Sequence, residues 1–518
     1  MKKLLFLFLN LLLQALPTSA QEQSVVDYII ATAKTDNQTM QHLDVLTNRI
    51  GGRPIGSNAY ETATYWTASL FRKWGLEVEI QEVGELPVGF NRGPWFGKML
   101  DSDGMSLHFA TPSYTSGTKG VQRGHVVAEP KTRAQFNRMK GKLQGAWVLI
   151  TGVSDGFPID YSAHGDSIRQ AIIAKNEAAQ RYNDSIARIN RENPNKPPLP
   201  LKKMDDAPAL FYKEMREAGI LGIIQSSPVP IRVLSDRQNL YKMDFENLPT
   251  CPDIKLNEHQ YAIIAQKVKE RQYFLLEFDI RNYFRPGPIK YHNVIGIIRG
   301  SEFPDEYVMS GGHLDSYDVA TGAVDCGTGV APNLEAARLL MMAGAKPRRT
   351  ILFCLWAGEE FGLLGSKFWV ENNREKWAYI SNYFNRDGGP TVANSLTVPP
   401  AMYADFQKAT AQLNDINPDF PFTLHERRGT PPIRPVITTT SGGSDHYYFA
   451  ANGIPAISFG TGDPKGYDFN YGEIWHTERD TYNLSIPEYM EHTSVVIAIT
   501  MYNLANLDKI LSREGLYR

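Results

Sequence analysis

The sequence predicts an α/β protein built around an open sheet. Apolar runs of strand length, closing near His313, Trp356 and Asn385, alternate with a helical pattern from Val330 to Met342. Each run hands over to imidazole or carboxylate groups bordered by glycine: His313 and Asp315 in MSGGHLDS, Glu359 and Glu360 in WAGEEFG, Asp387 in NRDGG. An open α/β sheet presents its ligand-binding groups at the carboxyl ends of its strands, so this repetition points to one shared site. After about residue 105 the composition changes to short strand-like runs divided by glycines and prolines, which predicts a second module set into the first.

Residues 1–20 carry Lys2 and Lys3, an apolar run from Leu4 to Leu13, and small residues at Thr18, Ser19 and Ala20. This is the pattern of an export signal, with an apolar core too short to span a bilayer. No cysteine follows the cleavage region to take a lipid anchor, and no later segment is long and apolar enough to span a membrane. A soluble exported protein, periplasmic or extracellular, is expected. From Ser24 to Leu46 the apolar spacing is helical, with Val26, Ile29, Ile30 and Ala33 on one face. A glycine-rich loop containing Arg53 then leads to a helix over Asn58–Trp74 and a strand over Leu76–Val83.

The second module is expected over 106–289. Its strand-like runs are VQRGHVVAEP, GKLQGAWVLIT and ILGIIQSS, with a polar helix from Asp166 to Asn190 that ends in the turning or extended segment NPNKPPLP. The chain returns to the first domain in a strand over His292–Ile298. A helix over Met402–Leu413, a proline-rich loop carrying Arg427, Arg428 and Arg434, and a closing helix from Ile486 to about Leu507 complete it.

Charge and cysteine content exclude several functions. The 54 basic and 56 acidic side chains of the 518 residues nearly cancel, and no basic stripe points to nucleic acid. Cys251, Cys326 and Cys354 are far apart and make no paired ligand motif; their odd number leaves at least one outside any disulfide within the chain. A homodimer is compatible with the sequence.

The chemistry lies between Tyr307 and Asp387. An imidazole past a strand end, with a carboxylate two residues on, suits a metal ligand and its support: Asp315 can take the proton on the other ring nitrogen of His313 and fix its tautomer. Asp325 stands in a glycine-rich turn ahead of a helix, and Glu359 and Glu360 are adjacent. Two like charges side by side near a low-dielectric interior are costly unless something positive is present. A carboxylate-rich zinc pair meets that requirement.

This ordered set, H-x-D, then D in a glycine turn, then E-E, then D, is completed by Ser444-Asp445-His446, by Gly453-Ile454-Pro455, and by His476 in GEIWHTERDTYNL. In that order it resembles the co-catalytic zinc peptidases of the M28 family, and within them the carboxypeptidase Q-like (plasma glutamate carboxypeptidase-like) branch. The likeness runs from about Asn293 to the C-terminus, and more weakly over Ile50 to Glu79. It implies a mixed central sheet flanked by helices, as in phosphorylase/hydrolase-like zinc exopeptidases. The peptidase domain would then be discontinuous, over 21–105 and 290–518. The insert over 106–289 resembles the β-rich protease-associated domain, with a helical and proline-rich insertion near 165–200.

Carried over residue by residue, the resemblance implies two zinc ions per chain. One would be held by His313, Asp325 and Asp387, the other by Asp325, Glu360 and His476, with Asp325 bridging. Glu359 matches the general base, and the loop containing Arg53 is structural. The family often has Asp or Asn after the bridging aspartate, where this chain has Cys326, which is expected to be an ordinary buried thiol. His125, His164 and His259 in the insert are expected to be structural or exposed.

The function implied is exopeptidase action, by an aminopeptidase or dipeptidase, on short peptides with a free N-terminus. Asp315 would support the site, and His446 or Tyr447 would supply a donor to the carbonyl oxygen. Other readings stay open: a single-zinc glutaminyl-peptide cyclotransferase, a carboxypeptidase or amidase on the same fold, and a non-catalytic receptor-like module. The last would be expected to have lost Glu359 or a ligand, and none is missing.

Overall fold

The computed structural model describes residues 18–101, 104–438 and 443–518, with side chains from residue 23 onward. The export signal expected over 1–20 lies outside them, except that Thr18–Ala20 open a helix running to Ala33. No described helix is long and apolar enough to cross a membrane.

The expected helix from Ser24 to Leu46 is broken in two. The break falls at Lys34–Gln38, where Asn37 Oδ1 takes the N–H of Thr39 (3.0 Å) and Asp36 pairs with Arg338 (3.0 Å). These local bonds offer the backbone an alternative to continuing the helix. The helix Asn58–Trp74 forms as expected, capped by Ser57, whose hydroxyl accepts from Tyr60 N, and closed by Gly75 in the left-handed region at φ 92°. Its buried face includes Phe71, whose ring lies where a Cβ on Gly296 would stand, so helix and sheet approach closely there.

The sheet is mixed and ten-stranded. Two 24-residue strands, β1 (Glu77–Leu100) and β7 (Leu275–Ile298), run antiparallel as a ribbon from Glu77↔Ile297 to Leu100↔Leu275. The Ile298 end of β7 pairs antiparallel with β9 (Arg349–Trp356). Beyond β9 lie β8 (Phe303–His313) and β10 (Ile380–Asn385), both parallel to it in the order β10-β8-β9. The expected strands at Leu76–Val83 and His292–Ile298 are therefore only the near ends of this ribbon. Pro87, Pro94, Pro286 and Pro288, with three register shifts, interrupt the alternation that would have shown its length.

The Leu275 end of the ribbon carries the intervening chain. There β7 pairs with β3 (Gln122–Ala128), followed by β4 (Ala146–Val153), β5 (Gly222–Ser227) and β6 (Asp253–Asn257), parallel to one another, with β2 (Phe109–Ala110) antiparallel at the edge. Along β4, Trp147 and Leu149 join one apolar cluster while Val148 and Ile150 join another, the period of two expected of a strand buried on both faces. Helix Glu258–Lys269 adds Ile264 to the first cluster; the Phe136–Phe211 stack and Ile173 belong to the second. The lobe is thus α/β, with helices Arg133–Met139 and Glu258–Lys269 besides the one expected from Asp166 to Asn190.

Helix Ala163–Glu192, one turn longer than expected, is fastened to the proline-rich chain behind it by a ladder of amides. Asn176, Asn183 and Asn190 each exchange two hydrogen bonds with one backbone unit, at Asp205, Lys202 and Leu199 respectively. Seven helical residues advance about 10.5 Å, and three polyproline residues about 9.3 Å. The two periods nearly match, which lets one amide per seven residues meet one backbone unit per three.

Candidate metal centre

Because β10, β8 and β9 are parallel, their carboxyl ends open on one edge. His313 is the last residue of β8, Glu359 and Glu360 follow β9, and Asp387 lies just past β10. The two glycines before His313 are required by close approach: a Cβ on Gly311 would stand 1.9 Å from the carbonyl oxygen of Cys354, and one on Gly312 would stand 2.5 Å from that of Arg386. Asp325 comes from the turn Ala323–Gly327, with φ −111° and ψ 94°, at the start of helix Thr328–Met342. His476 lies in a loop and adopts φ 59°.

The five residues expected as ligands come together. His313 Nε2 is 3.2 Å from Asp325 Oδ1 and 3.3 Å from Asp387 Oδ1. His476 Nε2 is 3.3 Å from Asp325 Oδ2 and 2.9 Å from Glu360 Oε2. Asp325 therefore turns one oxygen toward each of two groups of donors. Glu360 Oε1 is buried with no hydrogen-bond partner, and so is His476 Nδ1. An orphaned buried carboxylate oxygen costs free energy unless a cation sits against it, so the donor set fits a metal pair.

The electrostatics agree. Burial opposes charging His313, yet Cys326, Asp387 and Asp325 carry its pKa well above the usual value. Burial likewise opposes charging His476, but Glu360 and Asp325 raise it to about 9. Burial pushes Glu359 well upward, with Asp387, Glu360 and Asp445 adding to the rise and His313 opposing it. These imidazoles hold protons because carboxylates surround them; a dication among the same donors would displace those protons.

Asp315 does not act as the sequence suggested. The Nδ1–H of His313 is donated to the backbone carbonyl of Asp315 (3.0 Å), while the carboxylate stands 3.7 Å away. That carboxylate instead accepts from the backbone N–H groups of Glu359 (3.1 Å) and Glu360 (3.2 Å), fixing the turn that presents both glutamates. Burial raises its pKa to about 6. His446 lines the cavity over the cluster as expected. Tyr447 does not: its hydroxyl is donated to the carbonyl of Val436 (2.6 Å), which turns it away from a substrate carbonyl.

Other expectations resolve plainly. Arg53 is fully buried and donates to the carbonyls of Leu314 (2.8 Å), Thr321 (2.9 Å) and Gly322 (3.0 Å), bracing the loop between Asp315 and Asp325. Cys326 is buried and donates its thiol to the carbonyl of Arg386 (3.1 Å), with burial pushing its pKa up to about 12. All three cysteines are free and buried. Arg427 and Arg434 bond the carbonyls of Leu516 (3.1 Å) and Ala451 (2.9 Å), away from the cluster.

Sequence reasoning missed two sets of residues. Asp480 Oδ1 accepts from the backbone N–H of Val324 (2.6 Å) and Asp325 (3.4 Å), holding the bridging aspartate's turn; it lies four residues after His476, in the same motif. The second set comes from the inserted lobe. Phe157, Leu234 and Arg237 line the cavity of about 640 Å³ that also exposes Asp325, Glu359, Glu360, Asp387 and His476. The lobe also pairs with the His476 loop: Val233 N donates to His476 O (3.3 Å), Glu478 N to Ile231 O (3.1 Å), and Ile231 N to Glu478 Oε1 (3.1 Å). The Arg232 guanidinium lies over the Trp475 ring at 4.8 Å. Glu478 is also bonded by His108 (2.6 Å), so it is not free to hold a substrate amine.

Comparison with known proteins gives likenesses of sequence and fold. Residues 293–501 match the model described as Peptidase family M28. Carboxypeptidase Q of Mus musculus is 28% identical over 93% of this chain and 88% of its own length. An Arabidopsis thaliana protein described as a probable glutamate carboxypeptidase is 33% identical over 42% of this chain, which spans only 32% of that relative. Among solved structures, a peptidase M28 precursor from Shewanella amazonensis superposes with a TM-score of 0.56 at 19% identity, covering 95% of this chain and 98% of that one. A zinc aminopeptidase from Bacillus subtilis does so at 0.50 and 17%, covering 94% and 98%. Both share the mixed sheet flanked by helices, and the segment that delivers every one of the clustered acids and imidazoles is the one that matches the Peptidase family M28 model.

Proposed function

We propose that the protein is a two-zinc exopeptidase, an aminopeptidase or dipeptidase, that hydrolyses short peptides with a free N-terminus. The supporting observation is Asp325, whose two oxygens face separate imidazole–carboxylate groups. His313, Asp325 and Asp387 would hold one ion, and Asp325, Glu360 and His476 the other. Bound zinc would supply Lewis acidity toward the scissile carbonyl and lower the pKa of a water. Glu359, on the cavity wall, takes that water's proton and passes it to the leaving amine. His446, which lines the same cavity, would donate to the carbonyl oxygen. The relatives' names, a zinc aminopeptidase and carboxypeptidase Q, agree with the metal and the reaction class while differing in the end of the peptide they read. The inserted lobe is read as protease-associated-like, and export as directed by the N-terminal signal pattern.

Elemental analysis of the purified protein is expected to give two zinc ions per chain. One ion with full activity would overturn the two-metal reading and favour the single-zinc cyclotransferase.

Free N-terminus recognition rests on charge. Asp315, Asp325, Glu359, Glu360 and Asp387 bring five carboxylates to the site, one more negative charge than two zinc ions neutralise, so an ammonium group is favoured beside them. A free dipeptide is therefore expected to be cleaved with kcat/KM at least about tenfold above its N-acetyl form, the scale of losing one charge-assisted contact. Equal values for the two would exclude amine recognition.

A further inference from the structure

We propose that the two ion positions are unequal: the one that uses His476 is the exchangeable one, and docking of the inserted lobe through His108 and Glu478 sets how tightly it holds zinc. This rests on the two-zinc reading and concerns how each half of the pair is held. Both positions share Asp325, so any difference between them lies in their other donors. Glu360 is fixed by its backbone N–H bond to the Asp315 carboxylate (3.2 Å), which leaves the two imidazoles to be compared.

His313 belongs to the sheet. It ends β8, which is hydrogen-bonded on one side to β9 and on the other to β10. Its ring is fixed a second time at the far nitrogen, where Nδ1–H is donated to the carbonyl of Asp315 (3.0 Å). Ligating imidazoles are ordinarily oriented by such a bond. His476 has neither support. It stands in a loop at φ 59°, a left-handed conformation that strains a residue with a Cβ and persists only where its surroundings impose it. Its Nδ1 is buried with no hydrogen-bond partner, and its ring is steadied by packing against Tyr317 (4.5 Å between centroids) and Trp475 (4.0 Å).

The inserted lobe imposes that conformation. Arg232 and Thr477 form a short antiparallel bridge, in which Val233 N donates to His476 O (3.3 Å) and Glu478 N to Ile231 O (3.1 Å). The Glu478 side chain closes it, Oε1 accepting from Ile231 N (3.1 Å) and Oε2 from His108 Nε2 (2.6 Å). His108 is set for this by Asn257, whose amide nitrogen lies 3.2 Å from Nδ1; that nitrogen accepts, so the ring proton is on Nε2 and aimed at the carboxylate. Arg232 covers Trp475, the residue against which the His476 ring packs. Among the described residues, the nearest backbone bond from this loop to the core lobe runs from Thr321 N to Asp480 O (3.0 Å), four residues past the ligand.

The lobe thus supplies across the cavity what a strand supplies to His313. With the latch closed, the His476 imidazole is already in place when an ion arrives. With it open, the loop has to be ordered as the ion binds, and that ordering is subtracted from the affinity. Losing a group that orients a metal ligand weakens binding by about tenfold to a hundredfold. His313 keeps its strand and its bond to Asp315 in either state.

The test is a competition titration of the zinc-loaded full chain with a chromophoric zinc chelator, in the parent, His108→Ala and Glu478→Ala. The parent is expected to release its ions in two steps. Each substitution is expected to move the weaker step alone, by about tenfold to a hundredfold, with the far-UV circular dichroism of the parent retained. His476→Ala assigns the steps, and should abolish the weaker one while keeping the tighter. His108 is half-exposed and lies outside the ligand loop, so its truncation leaves every residue of that loop in place. Release of both ions from the parent in a single step overturns the proposal. So does a His108→Ala protein in which neither step moves or both move equally, and so does loss of the tighter step in His476→Ala. A parent that binds one ion refutes the metal pair itself, and this inference falls with it.

Discussion

Replacing Glu359 by glutamine is expected to lower kcat by about 10²- to 10⁴-fold, the contribution of a positioned general base, with zinc content unchanged. The amide keeps the shape and volume of the carboxylate and loses only the ability to take a proton. The backbone of residue 359 is held independently, by its N–H bond to Asp315 Oδ1, so the turn survives the change. The neighbouring ligand survives too, because the contact with His476 is made by Glu360. Burial and the neighbouring acids raise the pKa of Glu359, which makes it a stronger base than an exposed glutamate, while a cation beside it would draw that pKa back down. Turnover near the parent rate, with the metal retained, would place the base elsewhere.

Asp325→Ala should have the other large effect, and through a different quantity. Asp325 Oδ1 lies 3.2 Å from His313 and Oδ2 3.3 Å from His476, so one truncation strips a ligand from both proposed ion positions. Loss of metal-supplied Lewis acidity, worth several kcal/mol, corresponds to about three or more orders of magnitude in rate. Zinc per chain should fall below that of the parent. A melting temperature that drops on adding a chelator to the parent should respond less in the variant, because a ligand bound to the native state stabilises it in proportion to its affinity. A variant that keeps the parent's zinc content and its response to chelator would remove Asp325 from the bridging position.

The parts of this site that were legible in the sequence share one physical cause. His313, Glu359, Glu360 and Asp387 each follow an apolar strand closely, and a buried parallel strand announces itself as a continuous apolar run. Gly311 and Gly312 mark the same edge because no Cβ fits there. His476 was found only through the resemblance: it sits in an irregular loop, and no periodicity points to it. The role of Asp315 was misread because the spacing H-x-D fixes which residues are near, while the choice between carboxylate and carbonyl depends on where the Glu359 turn passes. Tyr447 was misplaced for a similar reason: a neighbour of His446 in a short helix, it faces Val436. Arg237 was illegible, because its place at the cavity follows from the backbone pairing of two loops far apart in the chain. The ribbon's length was hidden by its own prolines.

The ribbon of β1 and β7 also bears on how such a chain could have arisen. Leu100 and Leu275 are register partners at its far end, so the chain departs and returns at a single facing pair. Everything between them occupies the place of a hairpin turn. Chain added at such a tip leaves the pairing behind it intact, and loop-closure entropy rises only logarithmically with the length added. A one-lobed ancestor could therefore have accepted a large segment at its hairpin tip without loss of its sheet. The segment at the tip shares in the other lobe's site, since its own backbone holds the loop of His476.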